Sequence, residues 1–528
     1  MIAGRDFFVK FPIPVGALCA GALLLAGCGG QSSSQKGASS NGQNGSTVSY
    51  SAGVYPTYKG LANLCAAPRS GSSPVTGQAY PDKPGSIAAE NNWLRSWSND
   101  TYLWYRELPD LDPRAYNDTE QFFDLLRTSQ VTASGTPKDK FHFTYPTEVW
   151  ESLSQSGVSA GYGAQWFLVA DRPPREIRVA YVEPGSPAAA QGVQRGDTVL
   201  RIDGADAVSG NDVDTLNDGL FPENIGEAHQ FVMRSAAGVQ RTVSMTSASI
   251  TSVPVQNVKV INPTTDRIGY LLFNDHIATA EAQLISAVNT LNVTGISELV
   301  LDIRYNGGGY LYIASELAYM IAGPSRTNGK TFERLTFNDK YPNTDPVTGE
   351  SLAPMPFFDD SDAGAALPTL NLGRVYVLTG SGTCSASESI INGLRGVGVE
   401  VIQIGGTTCG KPYGFYATPN CGTTYFTIQF KGVNAMGFGD YTDGFSPENV
   451  VGSAGTEIPG CAVLDDFTHA LGDVGEARLA AALQHIGTGS CPTPPSGPVV
   501  LGKTQFGATP SEGYLPRSPL RENRILRH

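Results

Sequence analysis

The spacing of apolar positions changes several times along this chain. Residues 11–27 are almost continuously apolar. Between 61 and 156, segments such as AENNWLRSWSNDTYLWYREL and TEQFFDLLRTS place apolar residues at three- and four-residue intervals, which predicts helices. Trp93, Trp97, Trp104 and Tyr102 in that stretch are expected in its core. From 157 to 250 the pattern becomes short alternating runs split by glycine turns (GYGAQWFLV, EIRVAYV, DTVLRIDG, QRTVSMTSAS), which predicts a β-rich unit. Beyond 251, strand-like runs (RIGYLLFNDH, ELVLDI, RVYVLTG, VEVIQIGG) alternate with helical ones (AEAQLISAVNTLN, YIASELAYMIA, the segment after Ser385). That alternation predicts a largely parallel α/β core over 251–491, closed by the helix VGEARLAAALQHI. Residues 492–528, rich in Pro and Gly, are expected to be a disordered tail.

The apolar run at 11–27 follows Arg5 and Lys10 and ends Leu25-Ala26-Gly27-Cys28. Its length and small-residue end fit a signal peptide better than a spanning helix. The ending resembles the lipobox of bacterial lipoproteins. That resemblance implies removal of 1–27, lipidation of Cys28, and a flexible tether over 28–60. Gly29 in place of Asp implies an outer-membrane anchor, with the chain facing the periplasm.

Composition narrows the chemistry. The net charge is −13 with 16% charged residues, which leaves no basic surface for nucleic acid. No CxxC, HExxH or GxxxxGK[ST] pattern occurs, so no metal or cofactor is expected. Setting aside Cys19 and Cys28 leaves six cysteines, an even number in an exported chain, which predicts disulfides. Cys409 and Cys421 bracket GKPYGFYATPN and are the expected pair, stapling a hairpin that carries Lys411. The partners of Cys65, Cys384, Cys461 and Cys491 cannot be read from spacing.

Two segments carry candidate chemistry. Asp302-Ile303-Arg304-Tyr305-Asn306-Gly307-Gly308-Gly309 is a buried strand running into a glycine turn, where backbone can approach a substrate closely. Thr383-Cys384-Ser385-Ala386-Ser387-Glu388 opens a helix after a strand, and Gly410-Lys411 follows. A serine at a helix N-terminus sits where free N–H groups favour an oxyanion. A nearby lysine, if desolvated, can take its proton. Simpler readings exist for each part. Ser385-x-x-Glu388 is also a capping box, Asp302 and Arg304 could merely pair, and Lys411 could be a surface turn residue. Ser387 is a competing nucleophile, and Cys384 is one in principle.

The segment Val182-Glu183-Pro184-Gly185-Ser186-Pro187-Ala188-Ala189, with Gly192-Val193, Gly196-Asp197 and Val199 to Gly204, closely resembles a PDZ domain of the bacterial protease type. The resemblance implies that Gly161-Tyr162-Gly163-Ala164 caps a peptide carboxylate, with Trp166 at the side-chain pocket. The order PDZ, DxRxNGG turn, Ser-Ala-Ser-Glu, Gly-Lys, then Gly444-Phe445-Ser446-Pro447 is similar to the carboxyl-terminal processing (tail-specific) peptidases over about 60–480. This implies a multidomain α/β protein with an N-terminal helical region, a PDZ domain and a ClpP/crotonase-like core. Ser385 would be nucleophile, Lys411 base, and the backbone of Gly307, Gly308 and Ala386 the oxyanion hole. Substrates would be proteins or peptides with accessible C-termini. One departure stands out: Phe415 occupies the place of a glutamine that orients the lysine in many members. Glu388, His142 or Gln429 could serve as third member instead. The rival expectation is a catalytically impaired PDZ lipoprotein that only binds envelope proteins. A Ser/Lys esterase or β-lactamase-like enzyme is disfavoured, because the SxxK pattern Ser33-x-x-Lys36 lies in the tether.

Overall fold

The computed structural model describes residues 48–261, 267–450 and 452–493, and the backbone of 524–525. The expected signal peptide and lipidated Cys28 lie outside the described residues. A six-stranded sheet forms the centre. In spatial order its strands are Val255–Ile261, Ile268–Phe273, Glu298–Asp302, Arg374–Thr379, Glu400–Gly405 and Gly460–Ala462. The first pair is antiparallel and the rest run parallel. Parallel strands covered on both faces read as unbroken apolar runs, and all six residues of Ile268–Phe273 are buried. Alternate side chains serve different layers. Leu271, Phe273, Leu299, Leu301, Val375 and Val377 pack with the helices Ala280–Val293, Leu311–Ala322 and Ala386–Gly396. Tyr270, Leu272, Val300, Tyr376 and Leu378 pack with Leu479, Ala481 and Ala482 of the helix Ala477–Thr488, and with Ala180 and Tyr181 of the PDZ segment.

The PDZ segment is an antiparallel sheet with Ala164–Ala170 at one edge and Gln240–Thr246 at the other, and the helix Val213–Leu220 is in the same unit. Its Arg195 reaches into the catalytic layer. The guanidinium donates to Tyr305 Oη and Asp465 Oδ1 at 2.5 and 2.7 Å.

The N-terminal helical region is tied closely to the catalytic region. Its helix Ile87–Thr101, capped by Ser86, stacks Trp93 on Trp97 at 5.2 Å. These two and Tyr102 are buried as expected, and half-buried Trp104 packs edge-on against Tyr413. The strand Phe143–Pro146 pairs antiparallel with Thr423–Phe426. Helical residues and the lysine-bearing segment therefore share one apolar cluster: Tyr102, Phe141 and Trp150 with Tyr413, Phe415 and Phe426.

The disulfides differ from expectation. Cys409 and Cys421 are not joined to each other. The bonds are Cys65–Cys421, Cys384–Cys409 and Cys461–Cys491. Backbone pairing already closes the hairpin Thr418–Asn420 to Thr423–Phe426, and Cys421 sits in its turn at φ 53°, beside the N-terminal region. Cys409 stands instead against the nucleophile loop, donating its N–H to Thr383 O at 3.0 Å. The expected C-terminal tail also holds one ordered element: Arg524–Ile525 adds as a parallel strand to Gly309–Tyr310.

Candidate active site

The site forms where two adjacent parallel strands end, the usual ligand position in such sheets. Strand Glu298–Asp302 leads into the glycine turn, which a side-chain frame holds. Asn306 Oδ1 accepts from Gly308 N at 3.0 Å and faces His276 Nδ1 at 2.9 Å, while Asn306 Nδ2 donates to Phe273 O at 3.0 Å. Gly309 adopts φ +137°, and a Cβ there would lie 2.5 Å from His276 O, so no other residue fits without moving backbone. His276 is buried completely, which pushes its pKa down to about 3 and keeps the ring neutral. His276 belongs to no motif in the sequence. Its only signal was its position at the end of an apolar strand.

Beneath the turn lies a largely buried charge cluster. Arg304 pairs with Asp302 at 2.9 Å, with Glu476 at 2.7 and 2.8 Å, and with Asp465 at 3.0 Å. Burial opposes ionisation of Glu476 and Asp465, but the guanidinium groups outweigh it and hold both below the usual carboxylate range.

Strand Arg374–Thr379 leads into the second loop. Cys384 N and Ser387 Oγ both donate to Asn306 O, at 3.1 and 3.0 Å. The Ser387 hydroxyl is therefore already engaged in joining the two loops. Ser385 differs. It adopts φ 60° and ψ −114° at the N-cap of Ala386–Gly396, and its Oγ is buried without a hydrogen bond. Such a backbone costs about 1–3 kcal/mol and recurs where a side chain must be presented. Neither Gly307 N–H nor Ala386 N–H has an acceptor among the described residues. Gly308 N–H is committed to Asn306, so it is not an open oxyanion donor in this arrangement.

The lysine-bearing loop is bound to this helix start by Glu388. One carboxylate oxygen accepts from Ser385 N and Lys411 N at 2.9 and 2.8 Å; the other accepts from Gly410 N at 2.9 Å and from the Thr408 hydroxyl. Burial pushes Glu388 up from the usual range, against the pull of these four donors. Gly410 has φ +82°, and a Cβ there would meet Thr442 O at 2.3 Å. Lys411 is fully buried, its Nζ 4.6 Å from the Phe141 ring centre and 4.3 Å from that of Phe415. Aromatic faces favour an ammonium by about 0.5–2 kcal/mol, whereas removal from water works in the opposite direction, toward the neutral amine.

The three candidates for a third member occupy different places. Glu388 sits between Ser385 and Lys411 but is spent on four donors. His142 faces away: Nε2 contacts Phe123 O at 2.8 Å and Nδ1 contacts Thr427 Oγ1 at 3.0 Å, beneath the stacked Phe123 ring. It is a satisfied core histidine. Gln429 lies against the residues after Phe415, accepting from Tyr416 N at 2.7 Å, with its Nε2 buried and unpartnered.

In the PDZ unit, Gly161-Tyr162-Gly163-Ala164 turns into the edge strand, and Gly163 needs its φ of +74° because a Cβ would collide with Ser186. The Tyr162 ring is core, packed edge-on against Phe231, and so is not offered to a ligand. Trp166 bridges strand and helix, its Nε1 donating to Leu220 O at 2.9 Å.

Comparison with known proteins agrees with this layout. Residues 89–143 match the peptidase S41 N-terminal domain, 157–216 the PDZ domain and 267–416 peptidase family S41. The chain thus carries the domain set of a PDZ-containing S41 peptidase. Among named relatives it is similar to the carboxyl-terminal-processing protease of Picosynechococcus sp., at 29% identity over 49% of this chain and 56% of that one. It is also similar to the chloroplastic C-terminal processing peptidase of Tetradesmus obliquus, at 29% identity over 28% and 34%. The matched regions thus span at most about half the length of these relatives. A crystal structure assigned to the S41 proteases, from Bacteroides fragilis NCTC 9343, superimposes with a TM-score of 0.57 at 25% identity, covering 78% of this chain and 98% of that one.

Proposed function

We propose that this chain is a serine endopeptidase of the cell envelope, lipid-anchored through Cys28, that cleaves unfolded or C-terminal segments using Ser385 and Lys411. The observation that carries this reading is the unspent, buried Ser385 hydroxyl at a helix N-cap of positive φ, bound through Glu388 to the loop of a buried lysine. The neutral Lys411 amine takes the Ser385 proton as Oγ attacks the scissile carbonyl. Gly307 N–H, Ala386 N–H and the helix N-terminus stabilise the oxyanion. Lys411 then gives its proton to the leaving amine, and repeats the cycle with water to release the acyl group. The PDZ edge strand pairs with the substrate tail, its carboxylate held at Gly161–Ala164.

The test is cleavage of casein by Ser385→Ala, Lys411→Ala and the double variant, with folding checked by circular dichroism. Each single change should abolish cleavage, and the double should be no worse, because the pair acts as a unit. Labelling by a fluorophosphonate should vanish with Ser385. Persistent cleavage by folded Ser385→Ala would overturn the assignment; absence of both cleavage and labelling in the intact protein would favour the binding-only lipoprotein.

A further inference from the structure

Two of the residues that flank the proposed pair are joined covalently. Cys384 immediately precedes Ser385, and Cys409 lies two residues before Lys411; the Cys384–Cys409 bond spans 25 residues with Cα atoms 5.1 Å apart. We propose that this disulfide is a positioning element of the catalytic pair, fixing the lysine loop against the nucleophile turn during turnover. The inference rests on the Ser385/Lys411 reading above.

Several features support it. The lysine loop meets the helix start at one point, through the disulfide, the Cys409 N–H to Thr383 O bond and the bonds to Glu388. The two sulfurs and a Glu388 oxygen all lie within 4.8 Å of one another. Hydrogen bonds stretch and reform, whereas a disulfide fixes the distance between two backbones. Ser385 also holds a left-handed conformation that persists only where its surroundings over-determine it. Cys384 is fully buried next to it and cannot swing out while bonded.

The other two bonds serve elsewhere. Cys65–Cys421 ties the N-terminal region to a hairpin turn, and Cys461–Cys491 ties the last helix to the sheet edge.

The experiment compares wild type, Cys384→Ser/Cys409→Ser and Cys461→Ser/Cys491→Ser. A misplacement of about 1 Å can cost about 100-fold in rate. Loss of the 384–409 bond should therefore lower kcat about 10- to 100-fold, with KM changed less than about 2-fold. It should also move the alkaline-rising limb of the pH–rate profile to higher pH, as Lys411 gains water. Charged groups around this loop are Glu388, Lys140 on Cys409 O, Asp139, Asp440 and Asp443. None of them is altered by the substitution. The 461–491 variant should lose thermal stability while keeping the profile of the wild type.

If the 384–409 variant fails to fold, the wild type is treated after folding with an excess dithiol. Two electrons and two protons pass to the bond, giving two thiols and the cyclic disulfide of the reagent. The same kinetic changes should appear before the fold is lost, and reverse on reoxidation. Unchanged kcat and pH profile in a folded protein lacking the bond, with Ser385→Ala still inactive, would overturn this proposal and leave the pair intact. Activity in Ser385→Ala would overturn the pair instead.

Discussion

Replacing Glu388 with Gln separates a structural hub from a proton carrier. The carboxylate is buried and accepts from Ser385 N, Lys411 N, Gly410 N and the Thr408 hydroxyl. An amide is nearly the same size but brings two donors in place of one oxygen. The milder orientation puts the NH2 group on the side of Gly410 and Thr408. The Thr408 hydroxyl, which also accepts from Phe445 N at 2.7 Å, can turn to accept the new donor. Gly410 N–H cannot turn, so one buried donor loses its acceptor, at about 1–3 kcal/mol. The two bonds kept by the other oxygen lose their charge assistance, about another 1 kcal/mol. Glu388→Gln should therefore cost about 2–4 kcal/mol of stability in urea unfolding. It should lower kcat more than it raises KM, because the loops it joins carry the candidate nucleophile and base. Wild-type stability together with an activity loss of about 1,000-fold or more would refute this reasoning and identify Glu388 as a proton-transfer group.

Other outcomes follow from the same structure. Ser387→Ala should keep activity within a few-fold and lose about 1 kcal/mol, the worth of its bond to Asn306 O; an inactive, stable variant would make Ser387 the nucleophile. Glu476 and Asp465 are held below the usual range in the fold, so the stability they add is present above pH of about 4 and lost as pH falls through their folded values. Melting temperature should accordingly drop on acidification below that point, and Arg304→Met, which strands buried carboxylates, should cost about 3–5 kcal/mol at neutral pH. A peptide with a free, apolar C-terminal residue should be cleaved faster than its amide, and removing the PDZ segment should erase the difference; equal rates in the intact protein would show that chain ends are not read. Ending the chain at residue 493 removes the strand that pairs with Gly309–Tyr310, so KM for an added peptide should fall; an unchanged KM would mean that strand does not compete with substrate.

Much of this was legible because the decisive signals are local. The unbroken apolar runs marked the parallel strands, since each of those strands is covered on both faces. The Ser-x-x-Glu spacing announced a helix start, and half of that capping box is made, by Glu388 to Ser385 N. What escaped depends on contacts between distant positions. Cys421 pairs with a residue 356 positions away, which no spacing could reveal. His276 meets Asn306 across a strand and a turn, so nothing local to the histidine marks it. The commitment of Gly308 N–H to Asn306 is a matter of where one side chain folds back. Tyr162 looked like a pocket residue because its neighbours are glycines, but its ring had a core to fill.

The Cys65–Cys421 bond also decides how force would travel through this chain. Everything between those positions, PDZ unit included, belongs to a covalent loop of 356 residues. Tension applied at residue 48 passes through the sulfur bridge directly into the hairpin beside the lysine segment and skips the PDZ unit entirely. Stretched between residues 48 and 493, the oxidised protein can never release the length stored in that loop, about 1,200 Å at about 3.4 Å per residue. A protein held to a surface by its N-terminal end can therefore be tugged without its substrate-reading unit being unravelled. Single-molecule extension before and after reduction should differ by about that length plus about 100 Å from the 30-residue Cys461–Cys491 loop.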